Sequence, residues 1–152
     1  MTAARAPAVR EEAGKGTRMG AVRTVGFWLA AVMGALQAVN AVRAFADPGG
    51  FAAYMGLPLA DATDASFVYV YGLRTAFIAV LIGFFLIRGG MEALSLMAMA
   101  AILMPVGDAI LTWRAGAEPA TIARHALIAV YVLVAFVFLR RGARRLEGEG
   151  AA

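Results

Sequence analysis

The sequence predicts an all-α, polytopic membrane protein, an antiparallel bundle of four transmembrane helices. Three observations carry this expectation. Of 152 residues, 62% are hydrophobic and only 16% charged, so a soluble fold of this size could not hide the apolar surface. The charges gather towards the two ends of the chain and leave long windows holding one charge or none. Within those windows, four apolar stretches reach the ~20 residues that cross a ~30 Å hydrocarbon core at ~1.5 Å per residue.

The spans fall near 21–46, 66–87, 91–113 and 121–139. Residues 1–20, small, polar and charged, read as a disordered cytoplasmic tail, and 140–152 as a basic cytoplasmic C-terminal tail. Between the first two spans, DPGGFAAYMGLPLADATDA is rich in proline, glycine and aspartate and reads as a loop holding at most a short interfacial turn. The second and third spans are joined by little more than Arg88-Gly89-Gly90, which makes them antiparallel neighbours. A competing reading of the first span is a signal peptide cut after Ala44-Phe45-Ala46. Its apolar stretch is too long for that, and Gln37, Asn40 and Arg43 stand just before the cut.

Orientation follows from the basic residues. Arg5, Arg10, Lys15, Arg18 and Arg23 precede the first span, Arg88 lies in the second link, and Arg140, Arg141, Arg144 and Arg145 follow the fourth. The loop at 47–65 has no Lys or Arg. The positive-inside rule therefore places both termini in the cytoplasm of a cell-membrane protein. A net charge of +4 does not imply nucleic acid, because no basic helix with interleaved aromatics is present; anionic lipid headgroups are the expected partners. Absence of cysteine excludes disulfides, thiolate metal sites and a cysteine nucleophile.

Measured from the non-cytoplasmic face, the polar residues inside the spans share a depth. Asp108 is ~8 Å deep in the third span, Arg74 ~12 Å in the second, His125 ~6 Å in the fourth, and Gln37 and Asn40 ~9 to 13 Å in the first. A charge in hydrocarbon costs ~2.5–3.5 kcal/mol on insertion scales, so such groups face the bundle interior and pair. Arg74 and Asp108 are opposite charges on adjacent helices and are expected to pair. The pair fits a purely structural role, fixing helix register, as well as a functional one.

Pro105 has no N–H to offer the Ala101 carbonyl, so the third span should bend beside Asp108, while Gly107 admits a close approach. A packing kink accounts for the same proline. His125 is the single histidine. A lone histidine near a helix end is more often interfacial than a ligand, yet its depth beside Asp108 makes it a candidate proton carrier. Arg124 is expected to snorkel to headgroups. Tyr69 and Tyr71 are either site residues or part of an interfacial belt, and Trp28 and Trp113 read most simply as belt residues. Gly26, Ala30, Met33, Gln37 and Asn40 share one face of the first span. The stripe Gly72, Ala76, Ala79 and Gly83 faces away from Arg74, towards either a neighbouring helix or a second copy of the chain, as in a homo-oligomer.

The run Tyr71-Gly72-Leu73-Arg74, the segment MPVGDAILTWRAG and His125 together resemble a domain-of-unknown-function family of small four-helix membrane proteins, akin to the DoxX-like group. The resemblance spans roughly 48–139. It implies the four-helix fold and the importance of Arg74, Asp108 and His125, but no established activity. The family pattern often has an acidic residue directly after the arginine; here that position is Thr75.

No nucleotide loop, zinc-binding motif, haem-type histidine pair or carboxylate cluster occurs, so neither a metal nor another cofactor is expected. Three readings follow. The first is a binding protein whose bundle holds a small amphipathic or lipid-like molecule among Gln37, Asn40, Tyr71, Arg74, Asp108 and His125. The second is a membrane-embedded isomerase, cyclase or epoxide-opening enzyme with Asp108 and His125 as acid and base, and Arg74 orienting Asp108 or stabilising charge on an apolar substrate. The third, a transporter or proton-coupled subunit, fits four short helices without an internal repeat less well.

Overall fold

The computed structural model describes residues 20, 21 and 24–150, so the tail expected at 1–20 lies outside the described residues save for Gly20. Helix α1 (Val25–Ala46) starts where the Thr24 hydroxyl accepts a hydrogen bond from the Phe27 N–H at 3.2 Å, satisfying a donor the first turn leaves free. Asp47 ends α1 and caps α2 (Pro48–Met55), its Oδ1 accepting the Gly50 N–H at 2.9 Å with Pro48 at the first helical position. The segment expected to hold at most a turn therefore contains an eight-residue helix. Asp-Pro is a helix-start signal as well as a turn signal, and here the capping side chain decides between them.

A 3-10 turn (Ala62–Asp64) leads into α3 (Ala65–Arg88). The Asp61 carboxylate accepts the Thr63 N–H at 2.8 Å and its hydroxyl at 2.9 Å, and these bonds hold the Asp61 carboxyl below the usual carboxylate range. The third span divides into α4 (Met91–Ala101) and α5 (Leu103–Arg114). The break stands just upstream of Pro105, as the missing N–H requires, and the Val106 N–H resumes the ladder to the Ile102 carbonyl at 3.3 Å. Helix α6 (Pro119–Gly150) is the last described element. Four helical stretches, Val25–Ala46, Ala65–Arg88, Met91–Arg114 and Pro119–Gly148, are long and apolar enough to cross a membrane. The basic segment 140–150 is a continuation of α6, in which Gly142 and Ala143 are buried and Gly142 faces Met91 and Thr24.

Helix α1 packs along α3 on one side and α6 on the other, and α6 also packs along α4 and α5. The α1–α6 crossing is close: a Cβ on Gly26 would stand 2.7 Å from the Leu139 backbone nitrogen, so only glycine fits. Farther along the same pair, the Tyr131 hydroxyl donates to the Leu29 carbonyl at 2.8 Å. Ala30, Ile82, Leu94 and Leu139 form a core in the half nearer the Arg88-Gly89-Gly90 link. A second cluster of Ala44, Phe51, Ala52 and Val68 fastens α2 across α1 and α3 at the other end. Since lipid tails are as apolar as these side chains, close packing rather than water exclusion holds the crossings.

The small-residue stripe of α3 divides. A Cβ on Gly72 would stand 3.0 Å from the Ala44 Cβ of α1, whereas one on Gly83 would meet nothing within 4 Å. Near the α2 end the stripe therefore serves a side neighbour within the bundle. The expectation that the second and third spans are neighbours holds only beside their link. There α3 meets α4, but α3 has no extended contact with α5.

Candidate functional site: an amphipathic cavity

The space between α3 and α5 belongs to a cavity of about 680 Å³ lined by each of the helices α1 to α6. That volume lies within the ~300–1,000 Å³ usual for small-molecule sites. Its lining changes along the bundle axis. Towards α2 it comprises Gln37, Asn40, Tyr71, Arg74, Thr75, Asp108, Arg124 and His125; towards the link it comprises Met33, Ile78, Ile82, Leu94, Met97 and Leu139. The six residues singled out from the sequence thus line one cavity, on four different helices. Common depth was sufficient to gather all of them but Tyr71, because polar groups on a membrane bundle turn inward.

The sharpest geometry is around His125, which is 2% exposed. Its Nε2 lies 3.2 Å from the Met55 carbonyl oxygen at the end of α2, and its Nδ1 lies 4.0 Å from Asp108 Oδ2 on α5. A carbonyl only accepts, so Nε2 carries hydrogen and donates to it. In the neutral ring Nδ1 is then a bare lone pair turned towards a carboxyl group.

The local backbone sets these positions. Gly56, which ends α2, adopts φ 83°, and a Cβ there would stand 2.6 Å from Thr121 Cγ2 on α6; glycine thus lets the end of α2 settle onto the α5–α6 turn. Thr112, buried to 1% exposure, turns its hydroxyl back to the Asp108 carbonyl at 2.8 Å, which leaves the Asp108 side chain free for the cavity at 34% exposure. Pro105 is buried in the same wall, and Ala101, whose carbonyl it deprives of a donor, lines the cavity too.

One expectation changes. Arg74 and Asp108 make no ion pair within 4.0 Å; the group at that distance from Asp108 is His125. The reason is lateral: α5 packs on α6, while α3 packs on α1, so the cavity separates Arg74 from the carboxylate that shares its depth. Arg124 turns onto the end of α2. It lies 3.9 Å from the centroid of the Tyr54 ring, donates to the Tyr54 carbonyl and lines the cavity. Arg43 approaches the same ring at 4.1 Å.

Tyr71 lines the cavity and packs on Phe51 at 5.5 Å between ring centroids, whereas Tyr69 stacks on Phe45 at 6.0 Å and does not line it. Thr75, in the place where a carboxylate was missing, is buried and donates to the Tyr71 carbonyl at 2.9 Å. Tyr54, Arg124 and Tyr131 are wall residues the sequence did not single out as such. The Asp47-Pro48 cap, which announces α2, was the one available signal for Tyr54. Among the described residues no three His, Asp or Glu side chains come together as metal ligands would.

A family profile described as Domain of unknown function (DUF4267) matches residues 34–139. The chain belongs to this family. The DUF4267 match begins inside α1, earlier than the resemblance at 48–139 suggested, and takes in every polar residue of the cavity wall. No curated protein and no solved structure matches the chain.

Proposed function

We propose that this DUF4267 protein binds a small amphipathic or lipid-like molecule inside its bundle, in a cell membrane, with both termini in the cytoplasm and α2 on the opposite face. The observation that carries the reading is the two-ended cavity, polar beside His125 and Asp108 and apolar from Ile78 to Leu139. An amphiphile satisfies both ends at once, and neither water nor a wholly apolar molecule does. Orientation rests on the arginines flanking the spans and on the basic-free loop that holds α2.

A second reading is favoured by the His125–Asp108 geometry. An imidazole and a carboxyl group 4.0 Å apart at a cavity wall can act as acid and base on an apolar substrate, as in isomerisation, cyclisation or epoxide opening. Mass spectrometry of protein extracted from native membranes tests the first reading. A discrete small amphiphile, enriched over bulk lipid and lost when Ala135→Trp fills the cavity wall, is the expected result. Bulk phospholipid alone in both samples contradicts it. A product that accumulates with the native protein and not with Asp108→Asn selects the enzyme reading.

A further inference from the structure

The charged groups of the cavity wall do not balance. Arg74, Arg124 and His125 face a single acidic side chain, Asp108. Asp108 stands at ion-pair distance from His125, and Arg124 directs one N–H at the Tyr54 carbonyl. Arg74 has neither an ion pair nor a hydrogen-bond acceptor among the described residues, though it lies well inside a membrane-spanning helix. A guanidinium at that depth is costly unless an anion accompanies it.

Resting on the amphiphile reading above, we infer that the molecule carries an anionic head, a carboxylate or a phosphate monoester, seated against Arg74 with Arg124 on the opposite wall. Guanidinium meets either oxyanion through paired N–H donors. The remaining N–H groups of Arg124, held in place by the Tyr54 ring and carbonyl, close the head site on the side of α6. The head's apolar remainder extends towards the link. From His125 to Leu139, α6 alone provides ~21 Å of wall, and Ile78, Ile82 and Met97 face it from α3 and α4. A cavity of about 680 Å³ suits one alkyl chain rather than the two of a membrane phospholipid. Asp108, the one carboxyl group of the cavity wall, opposes the head's negative charge.

The test compares three probes with one alkyl chain: palmitate, lysophosphatidate and neutral monopalmitoylglycerol, titrated against the full-length protein in detergent micelles by competition with a fluorescent alkyl probe. The native protein should bind at least one anionic probe about tenfold more tightly than the neutral one, and which of the two wins identifies the head chemistry. Arg74→Gln should erase that preference, and thermal unfolding at the native temperature in the same micelles certifies its fold. Arg74→Lys should retain part of the preference, and Asp108→Asn should enlarge it. Equal binding of charged and neutral probes by the native protein, or a preference that survives Arg74→Gln, overturns the anionic head and leaves the amphiphile reading standing. Binding of none of the three overturns both.

Discussion

His125 on α6 stands between two elements, with Nε2 at 3.2 Å from the Met55 carbonyl that ends α2 and Nδ1 at 4.0 Å from Asp108 on α5. One imidazole thus ties the helix covering the cavity to the wall that carries its carboxyl group. Removing the ring frees the end of α2. His125→Ala should lower stability by about 1–3 kcal/mol, the cost of a lost buried hydrogen bond and an orphaned carbonyl, and should raise hydrogen exchange within α2 selectively. Thermal unfolding in detergent and amide exchange by mass spectrometry read the two effects.

Asp108 should behave differently. Its backbone, not its side chain, receives the Thr112 hydroxyl, and its carboxyl group is partly exposed to the cavity. Asp108→Asn is therefore expected to change the unfolding temperature little, which thermal unfolding in detergent reads.

Much of this arrangement is legible in the sequence because a membrane imposes a one-dimensional order. Depth can be counted along each helix, and counting placed Gln37, Asn40, Arg74, Asp108 and His125 in one layer, where the structure brings them around one cavity. What depth does not contain is azimuth. The choice of His125 over Arg74 beside Asp108 depends on α6 packing along α5 while α3 packs along α1, and four apolar helices with a short link admit more than one such order. Tyr54 and Arg124 escaped for a related reason. Their roles depend on where α2 settles, which the αL turn at Gly56 and its seat against Thr121 decide.

The two glycines Gly26 and Gly83 make a matched contrast. A methyl group on Gly26 would press on the Leu139 backbone, which cannot yield as a side-chain tip can, whereas one on Gly83 meets open space. Gly26→Ala should cost about 1–3 kcal/mol, the usual penalty of overpacking, and Gly83→Ala should be neutral or slightly stabilising through helix propensity. Comparing their unfolding temperatures in one detergent checks both. A greater loss for Gly83→Ala than for Gly26→Ala would assign Gly83 to a contact with a second copy of the chain.

Tyr131 joins α6 to α1 at the Leu29 carbonyl. Hydrogen bonds between membrane helices average about 0.6 kcal/mol, so Tyr131→Phe should weaken the bundle only modestly. Its ring also lines the cavity, and that surface is preserved in phenylalanine. Unfolding by a graded denaturing detergent should shift slightly while alkyl-probe affinity holds.

On the amphiphile reading an alkyl chain occupies the interior of the bundle, with its head towards α2. A palmitoyl probe bearing a photoreactive diazirine at the chain terminus tests this directly, with labelled positions mapped by peptide mass spectrometry. Label on Ile78, Ile82, Leu94 or Met97, suppressed by excess unmodified probe, is the result predicted. Label confined to the exposed outer surfaces, at residues such as Phe77, Val80 or Leu103, would place the probe in bulk lipid around the helices and contradict an occupied cavity.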